Sequence, residues 1–359
     1  MAYKFSRPFT PDWEAFEACV RRQGTPERVH NIEIFLDEEA KSGVCERLGI
    51  PDLVDDDPVA YYRREIALQR ALGYDYVGAG VDGVGLTFHW LNVQDTAEAQ
   101  RESGRNFINQ QEGPITSWEE FEAYPWPDVR KADTSALEWY EKNLPEDMCI
   151  VGGLTGHFAE EVTWLMGYET LCVALYEQRD LVQAISERLL EHYRQVIELY
   201  VQFERVRMIW GTDDMGFRSG TLISPRDLRA LVLPGHKLLA EKTHQAGKLY
   251  LLHSCGNLRS IMPDLVEDVK IDAKHSFEDT IEDVREVKKT WGDRIALFGG
   301  LDMDFMIRAD EQAVRARTRD TLEKCQPGGG YCLGTGNSVA NYMNLDNYLA
   351  MLDEGRKFG

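Results

Sequence analysis

The stretch that decides the fold lies between residues 248 and 337, where four short segments share one pattern: KLYLLHSC (248–255), IDAKHSFE (271–278), IALFGGLD (295–302) and GYCLGTGN (330–337). Each segment is apolar and ends in polar residues or glycine. Longer stretches of helical periodicity separate the segments. This alternation is typical of βα units, in which each strand is followed by a helix that packs on the sheet.

Four earlier segments continue the pattern: VHNIEIFLD (29–37), YDYVGAG (74–80), CIVGGLTG (149–156) and RMIWGTDD (207–214). Eight strands with intervening helices predict one closed (β/α)₈ barrel, an α/β fold in which residues 1–359 form a single domain. A doubly wound sheet is the alternative. The irregular segment 81–147 is predicted to be an insertion after the second strand that roofs the barrel mouth.

Composition restricts the classes of partner. The chain has 40 Lys and Arg against 61 Asp and Glu, a formal charge of −21, so nucleic acid and anionic membrane surfaces are not expected partners. No secretory signal and no apolar run of the ~18 residues that a spanning helix needs is visible. The seven cysteines, an odd number in a large chain, fit a reducing compartment, and we expect a cytoplasmic protein.

The ends of the predicted strands carry the polar residues that could bind a metal. His253 and Cys255 are two residues apart on one strand, so their side chains point to the same side. Cys332 lies on the last predicted strand, after a run of three glycines, and is predicted to be the third ligand. One imidazole and two thiolates favour Zn²⁺, and three protein ligands leave a fourth position open for catalysis.

Other strand ends offer further candidates. Glu278 is predicted to be a fourth zinc ligand when substrate is absent, a position for which Asp213, Asp214 and His275 are also considered. The alternative is that the two aspartates cap the next segment or orient His253.

Catalytic and cofactor-contacting roles are predicted for other strand-end residues. Asp302 is a candidate general acid or base, or else a helix cap, and His157 is a candidate for contact with substrate or cofactor. Asp214 is also named as catalytic, and Thr335 and Asn337 are predicted to contact the cofactor.

The chain resembles the uroporphyrinogen decarboxylase superfamily, and within it the zinc-dependent, corrinoid-linked methyltransferases. Five stretches carry the resemblance, which covers roughly residues 150 to 352: LISPRDLRALVLPGHKLLA, LLHSCGNLRSIMPDLVE, IDAKHSFED, IALFGGLDM and PGGGYCLGTGNSV. The resemblance implies a homodimeric barrel with zinc at His253, Cys255 and Cys332. It also implies transfer of a methyl group between a cobalamin and a small molecule such as a thiol, a methylamine or a methyl ether.

The decarboxylase branch of the superfamily is the alternative. Its arginine-rich N-terminal motif has no counterpart near residues 29–44, where the chain carries Glu33, Asp37, Glu38 and Glu39. Thr335 stands where that branch has a histidine between two glycines. A third possibility is a corrinoid- or thiol-binding protein without turnover. The chain has no D-x-H-x-x-G sequence, so the methyltransferase resemblance implies that the cobalamin arrives on a separate corrinoid protein.

Overall fold

A computed structural model describes residues 3–51, 57–97, 103–109 and 111–358. Its centre is a sheet of seven parallel strands in the order β1-β4-β5-β6-β7-β8-β9, so strands that follow one another along this order are hydrogen-bonded neighbours. These strands are β1 (Tyr76–Ala79), β4 (Cys149–Thr155), β5 (Val206–Thr212), β6 (Leu249–His253), β7 (Ala273–His275), β8 (Ala296–Phe298) and β9 (Tyr331–Cys332). Six of the seven lie within segments that the sequence predicted as strands, and β5 begins one residue before its predicted segment, at Val206.

The segment 29–37, predicted as the first strand, forms only two isolated bridges to the chain around β9, at Asn31 and Leu36. Towards β1, the Glu33 N–H donates to the Tyr76 hydroxyl (3.0 Å), and this hydroxyl donates back to the Glu33 carbonyl (2.9 Å). A side chain thus replaces the backbone ladder between this segment and β1. The sheet curls into a (β/α)₈-type barrel whose first position is filled by an irregular segment.

Helices form the outer layer, because their apolar faces pack on the outside of the sheet. They are α1 (Trp13–Val20), α2 (Glu38–Leu48), α3 (Pro58–Leu72), α4 (Trp118–Ala123), α5 (Ser135–Asn143), α6 (Phe158–Met166), α7 (Tyr168–Glu177), α8 (Arg179–Val201), α9 (Pro225–Leu231), α10 (Leu233–Gln245), α11 (Met262–Asp264), α12 (Val284–Trp291), α13 (Met303–Arg308), α14 (Glu311–Cys325) and α15 (Leu345–Phe358). A 3₁₀ turn spans Val129–Lys131 and a π turn spans Leu265–Val269. No helix among the described residues is both long and apolar enough to cross a membrane.

The segment 81–147 is an excursion between two neighbouring strands, since β1 pairs directly with β4. Its described part contains the antiparallel hairpin β2 (Trp90–Val93) and β3 (Arg105–Ile108), followed by α4 and α5. Asn341, in the loop after β9, contacts both Asp95 (2.8 Å) and Arg105 (2.7 Å). The hairpin region, which follows β1, therefore contacts the loop at the carboxyl end of β9, the last strand of the sheet.

The end of this segment belongs to the outer layer. The ring of Tyr140 on α5 lies 5.1 Å from that of Tyr62 on α3. Helix α5 is thus the crossover helix between β1 and β4, and the hairpin of β2 and β3 precedes it in the chain.

Candidate metal centre

Three potential ligands converge at the carboxyl ends of β5 and β6. His253 Nε2 lies 3.4 Å from Cys255 Sγ and 3.5 Å from Asp214 Oδ1, and the ligand atoms of the three residues all lie within 4.8 Å of one another. Asp214 and Cys255 are partly exposed, whereas His253 is buried. The cluster is therefore open on one side.

The strand register brings these residues together. Thr212, the last residue of β5, is paired with His253, the last residue of β6, so that Asp214 and Cys255 follow at the same level. The Cys255 N–H donates to Asp214 Oδ1 (2.8 Å), which fixes the carboxylate beside the thiol. Burial alone would raise the pKa of Asp214, but His253 and the Cys255 amide hold it at about 2, so the carboxylate is ionised.

The donor set fits a zinc ion. Zinc bonds of about 2.0–2.3 Å at tetrahedral angles place neighbouring N, O and S ligand atoms roughly 3.4–3.6 Å apart. The distances from His253 Nε2 to Cys255 Sγ, 3.4 Å, and to Asp214 Oδ1, 3.5 Å, agree with that geometry. One nitrogen, one oxygen and one sulfur form a borderline donor set that suits Zn²⁺ better than Mg²⁺ or Ca²⁺.

A chain of hydrogen bonds fixes the tautomer of His253. Burial lowers the pKa of His275 far below its usual range, so this histidine is neutral. Its Nε2 lies 3.1 Å from the Thr335 carbonyl oxygen, which only accepts, so Nε2 carries the proton. His275 Nδ1 therefore accepts from His253 Nδ1, 2.8 Å away. His253 Nε2 is thereby turned towards Cys255 and Asp214: without metal its proton bonds to the Asp214 carboxylate, and a metal that displaces this proton would meet the lone pair of Nε2.

The Thr335 carbonyl is itself held by a buried carboxyl. The Thr335 N–H donates to Glu33 Oε1 (2.7 Å), and the Thr335 hydroxyl lies 2.6 Å from Glu33 Oε2 and 2.8 Å from the Asn337 carbonyl oxygen. Because that carbonyl only accepts, the single hydroxyl proton goes to Asn337, and Glu33 must donate to Thr335 Oγ1. Burial raises the pKa of Glu33 to about 8, in agreement with a protonated carboxyl.

The thiol of Cys255 has further neighbours on the adjoining strands. Asn337 Nδ2 donates to Cys255 Sγ (3.4 Å), and the Ser276 hydroxyl lies 3.8 Å from the same sulfur. Burial and the charge of Asp214 raise the pKa of Cys255, so its thiol keeps its proton unless a cation is bound. Glu278 and Asn337 line one pocket of about 820 Å³ beside the cluster.

Comparison with known proteins identifies the family of the chain that carries this site. Residues 76–358 match the family model described as uroporphyrinogen decarboxylase (URO-D). The chain belongs to the URO-D family. A search of curated proteins found no match.

Two solved structures show the same fold. A methyltransferase from Methanosarcina mazei is 18% identical with a TM-score of 0.65, covering 96% of this chain and 98% of that chain. A putative vitamin-B12 independent methionine synthase from Listeria monocytogenes is 14% identical with a TM-score of 0.50, covering 92% and 98%. At these identities the likeness supports the URO-D barrel alone.

Within this URO-D barrel, the structure does not bring Cys332 to the cluster, which corrects the predicted ligand set. Cys332 is fully buried, and its thiol has the thiol of Cys19 on α1 as its hydrogen-bond partner. It lies three residues before Thr335, and at ~3.3 Å per residue that places it about 10 Å nearer the amino end of the barrel. Asp214, and not Cys332, is the third potential ligand of the cluster.

Two of the predicted acids act as helix caps. Asp302 Oδ1 accepts from the Phe305 N–H at the start of α13 (3.1 Å), and Oδ2 accepts from the Asp279 N–H (3.0 Å). This arrangement favours the capping alternative over a general acid or base. Asp213 is also used structurally, because its carboxylate caps α6 and accepts from the buried His236 (2.9 Å).

His157 lies at the mouth, before α6, where Nδ1 contacts Glu160 (2.9 Å) and Nε2 contacts Thr212 (2.9 Å). Since Thr212 is the register partner of His253, His157 adjoins the cluster through β5. Sequence reasoning assigned no role to Glu33 beyond repelling acidic substrates. The available signal was a lone carboxylate inside the apolar run 29–37.

Proposed function

We propose that this chain is a zinc-dependent methyltransferase that exchanges a methyl group between a small molecule and a corrinoid carried by a separate protein. The observation that carries the proposal is the convergence of Asp214, His253 and Cys255 at the open mouth of a URO-D barrel. The methyltransferase among the similar structures supports the reaction class.

The residues of the chain prepare the site for this chemistry. His275 and Thr335 hold His253 in the tautomer that binds metal, and Asn337 orients the sulfur of Cys255. Zinc, when bound, supplies a Lewis acid that lowers the pKa of a thiol or polarises a methyl donor.

Among the predicted site residues, Asn337 and Glu278 line the pocket beside the cluster. Asn337 lines it and is placed to touch the cofactor or substrate, whereas Thr335 is fully buried and acts through His275. Glu278 lines the same pocket but is not part of the cluster, so its side chain would have to move to become a fourth ligand before substrate arrives. Burial, together with the nearby charges of Asp302 and Asp214, raises the pKa of Glu278, and a cation beside it would relieve that repulsion.

Decarboxylation of a porphyrinogen, the reaction for which the family is named, fits this chain less well. The pocket between the segment 29–37 and β1 is lined by Glu33 and Glu65 with Lys41 as its one cation, and Lys41 is already paired with Glu65 (3.1 Å). Neither the protonated Glu33 nor the paired Glu65 and Lys41 offers a free positive charge to the carboxylates of a polyacidic substrate. The corrinoid partner, the homodimer and the cytoplasmic location stay predictions.

Metal analysis of purified variants tests the ligand set. We expect about one zinc per chain in the wild type, and loss of stoichiometric zinc in Asp214→Asn and Cys255→Ala, because each removes one of only three protein ligands. Cys332→Ala is the matched control: it also removes a thiol from a strand of the barrel, yet it should keep the zinc. Loss of zinc in Cys332→Ala with retention in Asp214→Asn would contradict this site.

Activity is tested with a methylated corrinoid protein and a thiol acceptor. The wild type should demethylate the corrinoid, followed by the change in its visible spectrum, and Cys255→Ala should be at least about a hundredfold slower. Consumption of uroporphyrinogen in the presence of a chelator would instead favour the decarboxylase. Zinc binding without methyl transfer with any donor would favour a binding protein.

A further inference from the structure

A second pocket lies next to the metal centre, between the start of the excursion and the helices α6 and α8. Its volume is about 460 Å³, and residues 81–88 form one wall while β4, α6 and α8 form the others. His157 lines this pocket and contacts Thr212, the register partner of His253. Since parallel strands are about 4.8 Å apart, the pocket begins roughly 10 Å from the metal ligands.

The lining of this pocket has carboxyl groups and no Lys or Arg. Asp82 and Glu161 supply the acids, and the two histidines are His157 and His192. Burial lowers the pKa of His192 to about 4, so its ring is neutral. Burial alone would lower the pKa of His157, but Glu160 raises it, and burial raises the pKa of Glu161 to about 8, so the pocket offers a cation a carboxyl group that ionises when the cation binds.

Two polar atoms that line the pocket lack partners. Glu161 is 5% exposed, and its Oε2 has no hydrogen-bond partner. Thr155 is 1% exposed, and its Oγ1 is also without a partner. Buried polar atoms in native proteins are nearly always paired, so such atoms at a cavity wall indicate a ligand that completes them.

Aromatic rings form much of the remaining wall. The rings of Phe88 and Trp164 meet edge to face at 5.3 Å, and the ring of His157 lies 6.1 Å from that of Trp164. Tyr193 and Tyr200 from α8 complete this side. Aromatic faces around a carboxylate are the arrangement by which proteins bind methylated ammonium groups.

We infer that this pocket binds a small methylated ammonium cation, with Glu161 as its counter-ion and the aromatic rings around its methyl groups. The assignment of this cation as the methyl-bearing substrate rests on the proposed function, whereas its binding does not. His157, between the pocket and Thr212, is the side chain that the ligand meets on the way to the metal centre.

Calorimetric titration of the purified protein with choline tests the inference. The matched ligand control is dimethylbutanol, the uncharged isostere of choline in which carbon replaces nitrogen. Choline should bind at least about tenfold more tightly, because the positive charge interacts with both the carboxylate and the ring faces. Equal binding of the two ligands, or no binding of choline, would overturn the inference.

Variants locate the binding. Glu161→Gln should weaken choline binding at least about tenfold, whereas Glu177→Gln, an exposed change on α7, should leave it unchanged. If Glu161→Gln does not fold, Trp164→Leu serves instead and should weaken choline more than dimethylbutanol. Unchanged choline affinity in the folded pocket variant overturns the assignment.

Proton release gives a second measurement. Burial raises the pKa of Glu161 to about 8, and the groups that face it are His157, Tyr193, Asp213 and Glu160. A bound cation lowers that pKa, so choline binding near pH 7 should release a proton in the wild type and not in Glu161→Gln. Choline binding without methyl transfer from any donor would refute the proposed function and leave this inference standing, because the titration requires neither zinc nor a corrinoid.

Discussion

At the scale of single residues, Glu33 connects the first segment of the barrel to the metal centre. Its carboxyl holds Thr335, the Thr335 carbonyl orients His275, and His275 orients His253. When Glu33 is protonated, its Oε2 donates to the Thr335 hydroxyl, and this hydroxyl can donate to the Asn337 carbonyl, so that all of the contacts form together. The titratable carboxyl of Glu33 thus occupies a position where the side-chain amide of a glutamine could make the same hydrogen bonds to Thr335.

Glu33→Gln should flatten the pH dependence of stability. Glu33 keeps its proton in the folded protein up to about pH 8, whereas in the unfolded chain it loses it near pH 4.3. The folded state therefore binds more protons, and the free energy of unfolding should fall by a few kcal/mol as pH rises from about 5 to about 8. Gln donates and accepts at the same two positions without ionising, so that fall should be smaller.

Urea unfolding at several pH values measures this effect. Glu146→Gln, an exposed glutamate in the loop before β4, is the control and should keep the slope of the wild type. Buried Glu161, whose pKa is also raised, should leave part of the slope in place. Equal slopes for Glu33→Gln and wild type would show that Glu33 is ionised in the folded protein.

At the scale of elements, the close approach of the chain after β8 to the chain after β9 sets the position of the Thr335 carbonyl. Gly299 follows β8 with φ +73°, and a Cβ there would lie 2.0 Å from the Thr335 oxygen and 2.9 Å from His275 Nε2. Only glycine fits this conformation and this contact together.

Gly299→Ala should destabilise the protein by about 3 kcal/mol and lower its affinity for zinc. The positive φ costs about 1 kcal/mol, and the clash must push the Thr335 carbonyl away from His275. Gly328→Ala is the control, because φ is +81° there and nothing lies within 4 Å of its Cβ, so it measures the backbone cost alone. Equal losses of stability and zinc in both variants would contradict the role of this contact.

At the scale of the whole molecule, Asp75 ties the N-terminal segment across the amino end of the barrel. It is fully buried at the start of β1 and accepts from Arg28 (2.5 Å), from His30 Nδ1 (2.8 Å) and from the Asp12 N–H (2.7 Å). Helix α1 is thereby held under the strands, where Cys19 meets Cys332.

Asp75→Asn should lower the free energy of unfolding by roughly 2–4 kcal/mol, since it leaves part of a buried ionic network without its charge. Asp128→Asn, which changes a half-exposed aspartate paired with the exposed Arg130, should have a smaller effect. Denaturant unfolding compares the two variants. A loss in Asp128→Asn as large as that in Asp75→Asn would contradict the role given to burial.

The sequence by itself determined the alternation of strands and helices and the pairing of His253 with Cys255. Both follow from local chemistry: apolar runs of strand length end in polar residues, and side chains two apart on a strand share a face. The first segment could not be predicted as irregular, because the Tyr76 hydroxyl that replaces its ladder comes from another strand.

Only the tertiary structure decided the third ligand and the use of each acid. The sequence predicts that a residue lies near the end of a strand, but it does not give the position of that residue along the barrel axis. The position along the axis separates Cys332, near the amino end of the barrel, from Asp214, at the mouth. Likewise Asp302 and Asp213 lie at predicted strand ends, where a catalytic or metal-binding acid is expected. Their carboxylates instead accept hydrogen bonds from the backbone amides of the helices that they cap. The physical reason is that metal binding depends on distances between side chains on different strands. The spacing of residues along one strand does not determine those distances.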